Sequence, residues 1–292
     1  MCDESTLADA LERERTDGGI TRRQFGVLSA ATGLSIVLSD DAHAAEVQGD
    51  DVLIETPDGK TDAYFVHPKA GTHPGVILWP DIFGLRPAMR QMATRLAESG
   101  YAVLVVNPYY RLGTASIVPE GADFEDEATR NTLMSLMGSL TPETQATDAT
   151  AFVDFLDAQP SVARDRKMGT MGYCMGGPIT MRTAAARPDR VGAGASFHGG
   201  GLASDSPSSP HLLVPKMNAH FLFAIAENDD EGDPKAKDLL REAFAKGELP
   251  AEIEVYAGAL HGWCPPDSRV YNEAQAERAW GRLLALFAKA LA

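Results

Sequence analysis

The run Gly172-Tyr173-Cys174-Met175-Gly176-Gly177 leaves the chain little choice of local geometry. A side chain flanked this closely by glycines fits a strand that turns sharply into a helix. Such a turn is strained, and the helix packs so near the strand that only small residues fit between them. Lys167-Met168-Gly169-Thr170-Met171 is short and mostly apolar and predicts a buried strand, while Ile179 to Ala186 predicts a helix. Pro178 falls in the first helical turn, where a missing N–H costs nothing. Strand, turn and helix together form an elbow that exposes a nucleophile at its tip. Cys174 is therefore a candidate thiol nucleophile, and the plainer alternative is a buried structural cysteine.

The rest of the chain alternates in the same way. Asp51 to Glu55, Ala63 to His67, Gly75 to Trp79, Tyr101 to Val106, Val191 to Phe197, Phe221 to Ala226 and Ile253 to Tyr256 read as strands. Helical patterns lie at Met89 to Ser99, from Thr141-Pro142-Glu143 through Leu156, at Lys235 to Ala245 and at Glu273 to Ala290. The segment Phe124 to Leu140 is read either as a pocket rim or as a helix covering the sheet. Nearly continuous apolar strands separated by helices predict an α/β, doubly wound, mainly parallel sheet with helices on both faces.

Ligands of such sheets bind beyond the C-terminal strand ends, which directs attention to the residues just after each strand. Glu227-Asn228-Asp229-Asp230 follows one strand and Gly258-Ala259-Leu260-His261-Gly262 follows another, so Cys, Asp and His succeed one another in chain order. A thiolate needs a neighbouring imidazole to favour it and to protonate the leaving group, and the imidazole needs a carboxylate to fix its tautomer. Asp229 and Asp230 both qualify as that carboxylate. Met175 N–H, just after the nucleophile, and Ile82 N–H, after an earlier strand, are the expected oxyanion-hole donors. Asp81 could face the same pocket, or stand as a favourable carboxylate at a helix N-terminus.

Composition narrows the partners. The chain has 41 acidic and 26 basic residues; from Ala45 onward 33 acidic face 22 basic, a net charge of −11. That balance argues against nucleic acid or an anionic membrane surface as a partner. Seven histidines without ligand spacing predict no metal site, and no cofactor is implied. Thr21-Arg22-Arg23-Gln24-Phe25, the apolar run to Leu38 and the small-residue site Ala42-His43-Ala44-Ala45 follow in the order of a twin-arginine (Tat) leader. The expectation is a signal over residues 1–44, recognised by the Tat export machinery, then one exported domain over 45–292. No apolar run reaches the length of about 20 residues needed for a membrane span. Cys2 leaves with such a signal. Cys174 and Cys264 remain, and a redox-responsive dithiol is the alternative from another functional class.

Several segments together resemble the dienelactone hydrolase family (carboxymethylenebutenolidases) of the α/β-hydrolases: Pro80-Asp81-Ile82-Phe83-Gly84, Asn107-Pro108-Tyr109-Tyr110-Arg111, the Cys174 elbow, Ser196-Phe197-His198-Gly199 and His261-Gly262-Trp263. The resemblance implies hydrolysis of a small lactone or carboxylic ester by a triad of Cys174, His261 and Asp229, the last matching the first acidic position after its strand. A general carboxylesterase or thioesterase is the neighbouring alternative. The resemblance also implies that Asp81, where the best-known members have Glu, helps to deprotonate the thiol. It places Arg111 among the substrate-binding positions, with Trp263 of the His261-Gly262-Trp263 segment as a further candidate, while His198, at a strand end, is read either as lining the pocket or as making a structural hydrogen bond. A second arginine position shortly after the histidine is Pro265 here, with Arg269 as its candidate replacement.

Overall fold

The computed structural model describes residues 44–113, 119 and 121–292. The leader reading falls on residues 1–44, nearly all of them outside the described residues.

Eight strands form one sheet in the order β1-β2-β4-β3-β5-β6-β7-β8. The antiparallel pair β1 (Val47–Thr56) and β2 (Gly59–Pro68) occupies one edge, and β2 joins β4 (Ala102–Val106) antiparallel as well. From β4 onward every pairing is parallel, through β3 (Gly75–Trp79), β5 (Met168–Tyr173), β6 (Val191–Phe197), β7 (His220–Ala226) and β8 (Ala251–Tyr256). The fold is the expected α/β-hydrolase arrangement, a doubly wound and mainly parallel sheet with helices on both faces.

Strand alternation assigns side chains to the two faces. Val76 and Leu78 of β3 pack with α1 (Pro87–Glu98) and α7 (Glu273–Ala290) through Met89, Leu96, Leu283 and Phe287. Ile77 and Trp79 point the other way, toward Phe152 of α3 (Pro142–Asp157), Ile179 of α4 (Gly176–Ala186) and Phe244 of α6 (Ala236–Lys246). The capping box at Thr141 starts α3 as the sequence implies, with Thr144 N donating to its hydroxyl at 3.2 Å.

Two elements differ from the sequence reading, and a third decides between its two alternatives. The elbow strand runs two residues further, to Tyr173, and α4 begins three residues before Ile179, because the glycines belong to regular structure on both sides of the turn. Asp229 lies within a short helix, α5 (Glu227–Gly232), rather than in a loop. Segment Phe124 to Leu140 contains the helix α2 (Glu127–Gly138), started by Asp126 accepting from Thr129 N. Its apolar face does not lie on the sheet. Leu133 and Leu136 instead pack against Ile82, Tyr109 and Met175, a third cluster at the strand ends that Cys174 joins from its edge.

Candidate active site

The elbow is built by close backbone approach. A Cβ on Gly172 would stand 2.2 Å from Gly176 O, and one on Gly176 would stand 2.5 Å from Trp79 O of the adjacent strand. Cys174 between them sits at φ 51°, in the left-handed region that non-glycine residues rarely occupy. Its N–H donates to Phe197 O at 3.1 Å and to His198 Nδ1 at 3.2 Å, which ties the strained residue to the end of β6. The side chain is half-buried.

His261, beyond β8, has Nδ1 at 2.9 and 2.8 Å from the two carboxylate oxygens of Asp229. With Nδ1 taken, Nε2 is the ring nitrogen left to serve Cys174, which is among the groups that raise the His261 pKa. Burial alone would lower the His261 pKa, but the bonds to Asp229 and Cys174 and their negative charge outweigh it and raise the value to about 10. The loop is fixed from below: Asn228 Oδ1 accepts from His261 N at 2.8 Å, and Ala259 O accepts from Glu227 N at 2.9 Å. Asp230 is turned away and ion-paired with Lys237 at 2.6 Å. Cys174, His261 and Asp229 are thus brought together at the C-terminal ends of β5, β8 and β7.

Ile82 and Met175 pack into one apolar cluster with Tyr109. Tyr109 Oη lies 2.9 Å from Ile82 O and 3.0 Å from Met175 Sδ, coupling the two segments. Neither Ile82 N–H nor Met175 N–H has a hydrogen-bond acceptor among the described residues. Pattern reading did not single out Tyr109 or Asn228, whose roles depend on partners far away in sequence.

A match to the dienelactone hydrolase family spans residues 61–291. The chain belongs to that family. A carboxymethylenebutenolidase of Rhodococcus opacus is 27% identical over 233 residues, 78% of this chain and 86% of the relative. An Escherichia coli (strain K12) protein proposed to be a carboxymethylenebutenolidase is 29% identical over 272 residues, 91% of this chain and 96% of its own. Among solved structures, a Klebsiella pneumoniae subsp. pneumoniae protein proposed to be a dienelactone hydrolase superposes with a TM-score of 0.73 at 26% identity, covering 84% of this chain and 99% of that one. The chain is accordingly a dienelactone hydrolase-like carboxylic ester hydrolase.

Around this family core, the other expected site residues stand differently from one another. Asp81 is buried, and Arg86 Nη1 and Nη2 grip its two oxygens at 2.6 and 2.9 Å, while Phe83 N donates to Oδ1 at 3.0 Å. Burial pushes the carboxyl up and the guanidinium pulls it back. Arg86 also holds Asp267 at 2.7 Å. Arg111 is engaged by two carboxylates, Asp148 of α3 at 2.7 Å and Asp58 of the β1–β2 turn at 2.5 Å. Arg269 pairs with Asp123 at 2.7 Å.

His198 and Trp263, the other expected substrate-binding positions, are both buried, and His198 makes the structural hydrogen bond that is its alternative reading. His198 is 1% exposed, and its ring meets those of His261 and Trp263 edge-on at 5.1 and 5.2 Å. Burial, and then the charge of His261, push its pKa well below 6.5 and keep it neutral. Trp263 is wholly buried and stacked on Tyr256. Both therefore support the site from within the core. Cys264 is a buried free thiol lining a cavity of about 460 Å³ with Tyr173, Phe197 and Trp280, against the α1/α7 face. It belongs to a different apolar cluster from Cys174, which gives no support to a dithiol switch. No group of side chains that could hold a metal is found among the described residues.

Proposed function

We propose that this hydrolase opens a small lactone or cleaves a carboxylic ester through a thioester on Cys174, with His261 as proton carrier and Asp229 as its support. The observation that carries the reading is the geometry at the strand ends: a half-buried thiol on a strained elbow, and an imidazole under its electrostatic influence whose Nδ1 meets both oxygens of one carboxylate.

In the first half-reaction the Cys174 thiolate attacks the carbonyl carbon and forms the C–S bond. Charge moves to the carbonyl oxygen, between the N–H groups of Ile82 and Met175, where two oriented donors contribute a few kcal/mol, on the order of 3 each. The C–O bond then breaks and the His261 imidazolium gives its proton to the departing oxygen. In the second half-reaction neutral His261 takes a proton from water as the oxygen attacks the thioester. The C–S bond breaks, the acid leaves, and thiolate and imidazolium are restored. Asp229 keeps the imidazole in the tautomer that both halves need. Any share of Asp81 in deprotonating the thiol requires its pair with Arg86 to open first.

The test is Cys174→Ala on a panel of lactones and esters. The expected result is a loss of about a thousandfold or more in kcat with unchanged circular dichroism. Full turnover in this variant would remove the mechanism. The leader reading, carried by Arg22-Arg23 and the apolar run after them, is proposed alongside it. Under that reading an Arg22→Lys, Arg23→Lys double variant stays inside the cell, and continued export would dismiss it. Among the described residues no helix is long and apolar enough to cross a membrane.

A further inference from the structure

Between β3 and α1, β4 and α2, and β8 and α7, and on α2 itself, the described residues carry four Lys or Arg side chains, Arg86, Arg111, Arg130 and Arg269; the connection after β7 adds Lys235, exposed at the start of α6. Each of the four arginines is already occupied. Arg86 is held by Asp81 and Asp267, Arg111 by Asp148 and Asp58, and Arg269 by Asp123. Arg130 folds back on the carbonyls of Phe124 and Glu125 at 3.3 and 3.2 Å. Residues 114–120 add no Lys or Arg to this inventory. At Arg86 and Arg111 a substrate carboxylate would have to displace a carboxylate from a bidentate pair, whereas Arg269 and Lys235 stand in water, where an added ion pair gains little.

What surrounds Cys174 is apolar instead. The cluster it joins consists of Ile82, Tyr109, Leu133, Leu136 and Met175, with Phe83, Met137 and Leu140 packed at its edge. Outside it, Leu112, Phe124, Met134 and Leu260 are exposed on the segments that frame the site. An isolated exposed apolar side chain needs no explanation, but four on the segments next to Tyr109, His261 and the α2 cluster residues extend the apolar chemistry of the cluster.

We infer that the site selects neutral substrates with an apolar acyl group and discriminates against acyl groups that carry a negative charge. This rests on the Cys174 thioester reading and adds the substrate class to it. An acyl chain bonded to Cys174 Sγ would lie against Leu133, Leu136 and Met175, where a methyl end is welcome and a carboxylate end has no counter-charge.

The experiment compares p-nitrophenyl pentanoate with mono-p-nitrophenyl glutarate, which have the same chain length and end in a methyl and a carboxylate respectively. Each is measured on the full protein and on Cys174→Ala, so that only thiol-dependent turnover is compared. The expected kcat/KM ratio favours the pentanoate by about 100-fold. Comparable values, or a preference for the glutarate, in Cys174-dependent turnover would overturn the substrate class and leave the thioester reading standing. Turnover of both esters that survives Cys174→Ala would overturn the thioester reading and this inference with it. A second variant, Met137→Lys, puts an ammonium at the edge of the cluster on a flexible stem. It should narrow the ratio about tenfold by supplying the missing counter-charge. An unchanged ratio would show that the lack of a cation at the cluster is not what sets the preference.

Discussion

Two adjacent aspartates after β7 have opposite surroundings, and that difference makes the triad testable one residue at a time. Asp229 presents both oxygens to His261 Nδ1, whereas Asp230 is spent on Lys237. Asp229→Asn should lower kcat by about 10³- to 10⁴-fold, because the amide can hold the imidazole in the wrong tautomer. Asp230→Asn loses only a partly exposed ion pair, worth about 1 kcal/mol or less of stability, and should leave kcat within a small factor. Equal losses in the two variants would mean that the acid has been misassigned. The same pair sets a pH limit. His261 titrates near 10 against 6.5 unperturbed, so its contribution to stability is fully present below about 6.5 and is lost as pH rises through about 10. Activity that needs the imidazolium as proton donor should fall over the same alkaline range, and in Asp229→Asn that fall should begin at lower pH. A pH–rate profile of kcat/KM in both proteins reads this directly. His198 has the opposite sign. Its pKa is depressed in the folded state, so stability is present above 6.5 and is lost as pH falls below that value.

At the scale of elements, the strand–turn–helix unit of β5 and α4 is rigid because backbone rather than side chain blocks it. The carbonyl of Trp79 lies 2.5 Å from where a Cβ on Gly176 would go, and it belongs to a strand at the middle of the sheet that cannot retreat. Gly176→Ala should therefore cost several kcal/mol, about 3 or more, and displace Cys174 from His261. Gly281 makes the contrast. It lies exposed inside α7, and a Cβ there would meet nothing within 4 Å. Gly281→Ala should stabilise by about 0.5–1 kcal/mol and raise Tm by about 2–4 °C without altering kcat. Chemical denaturation of both variants separates a glycine required by close packing from one that merely weakens a helix. The sequence carries this distinction only in part. Glycines around a candidate nucleophile are conspicuous in the Cys174 run, and the final helix is legible end to end from its apolar spacing. Whether α2 would turn its apolar face to the site or to the sheet stays open in the sequence, since Leu133 and Leu136 have the same spacing whichever surface they cover.

Across the whole molecule, what could be read from the chain and what could not divides by range. The buried strands, the alternation that makes the sheet parallel, and the placement of Cys174, Asp229 and His261 just after their strands follow from patterns a few residues long. The ion pairs follow from no such pattern, because their partners are distant: Arg86 meets Asp267 across 181 residues, and Arg111 meets Asp148 across 37 and Asp58 across 53. That distance decides how Arg111 is to be understood. Read locally, it is a cation in a loop beside the site and a candidate to hold substrate. In the fold it joins the β1–β2 turn, the end of β4 and α3, and Tyr110 Oη adds a bond to the same Asp148 at 2.9 Å while lying 2.8 Å from Thr56 Oγ1. Asp148 is 2% exposed, so removing Arg111 leaves a carboxylate buried with only a hydroxyl for company. Arg111→Ala should consequently destabilise by about 3 kcal/mol in urea denaturation, the cost of breaking a buried pair from one side. Replacing both members, as in Arg111→Met with Asp148→Leu, should recover much of that loss, because the desolvated charge goes with its partner. A substrate-holding arginine makes a different forecast: Arg111→Ala would leave stability nearly unchanged and raise KM for anionic esters alone. If the double variant regains stability and the pentanoate-to-glutarate ratio does not move in either protein, Arg111 is a strut between three distant parts of the chain rather than a contact for substrate.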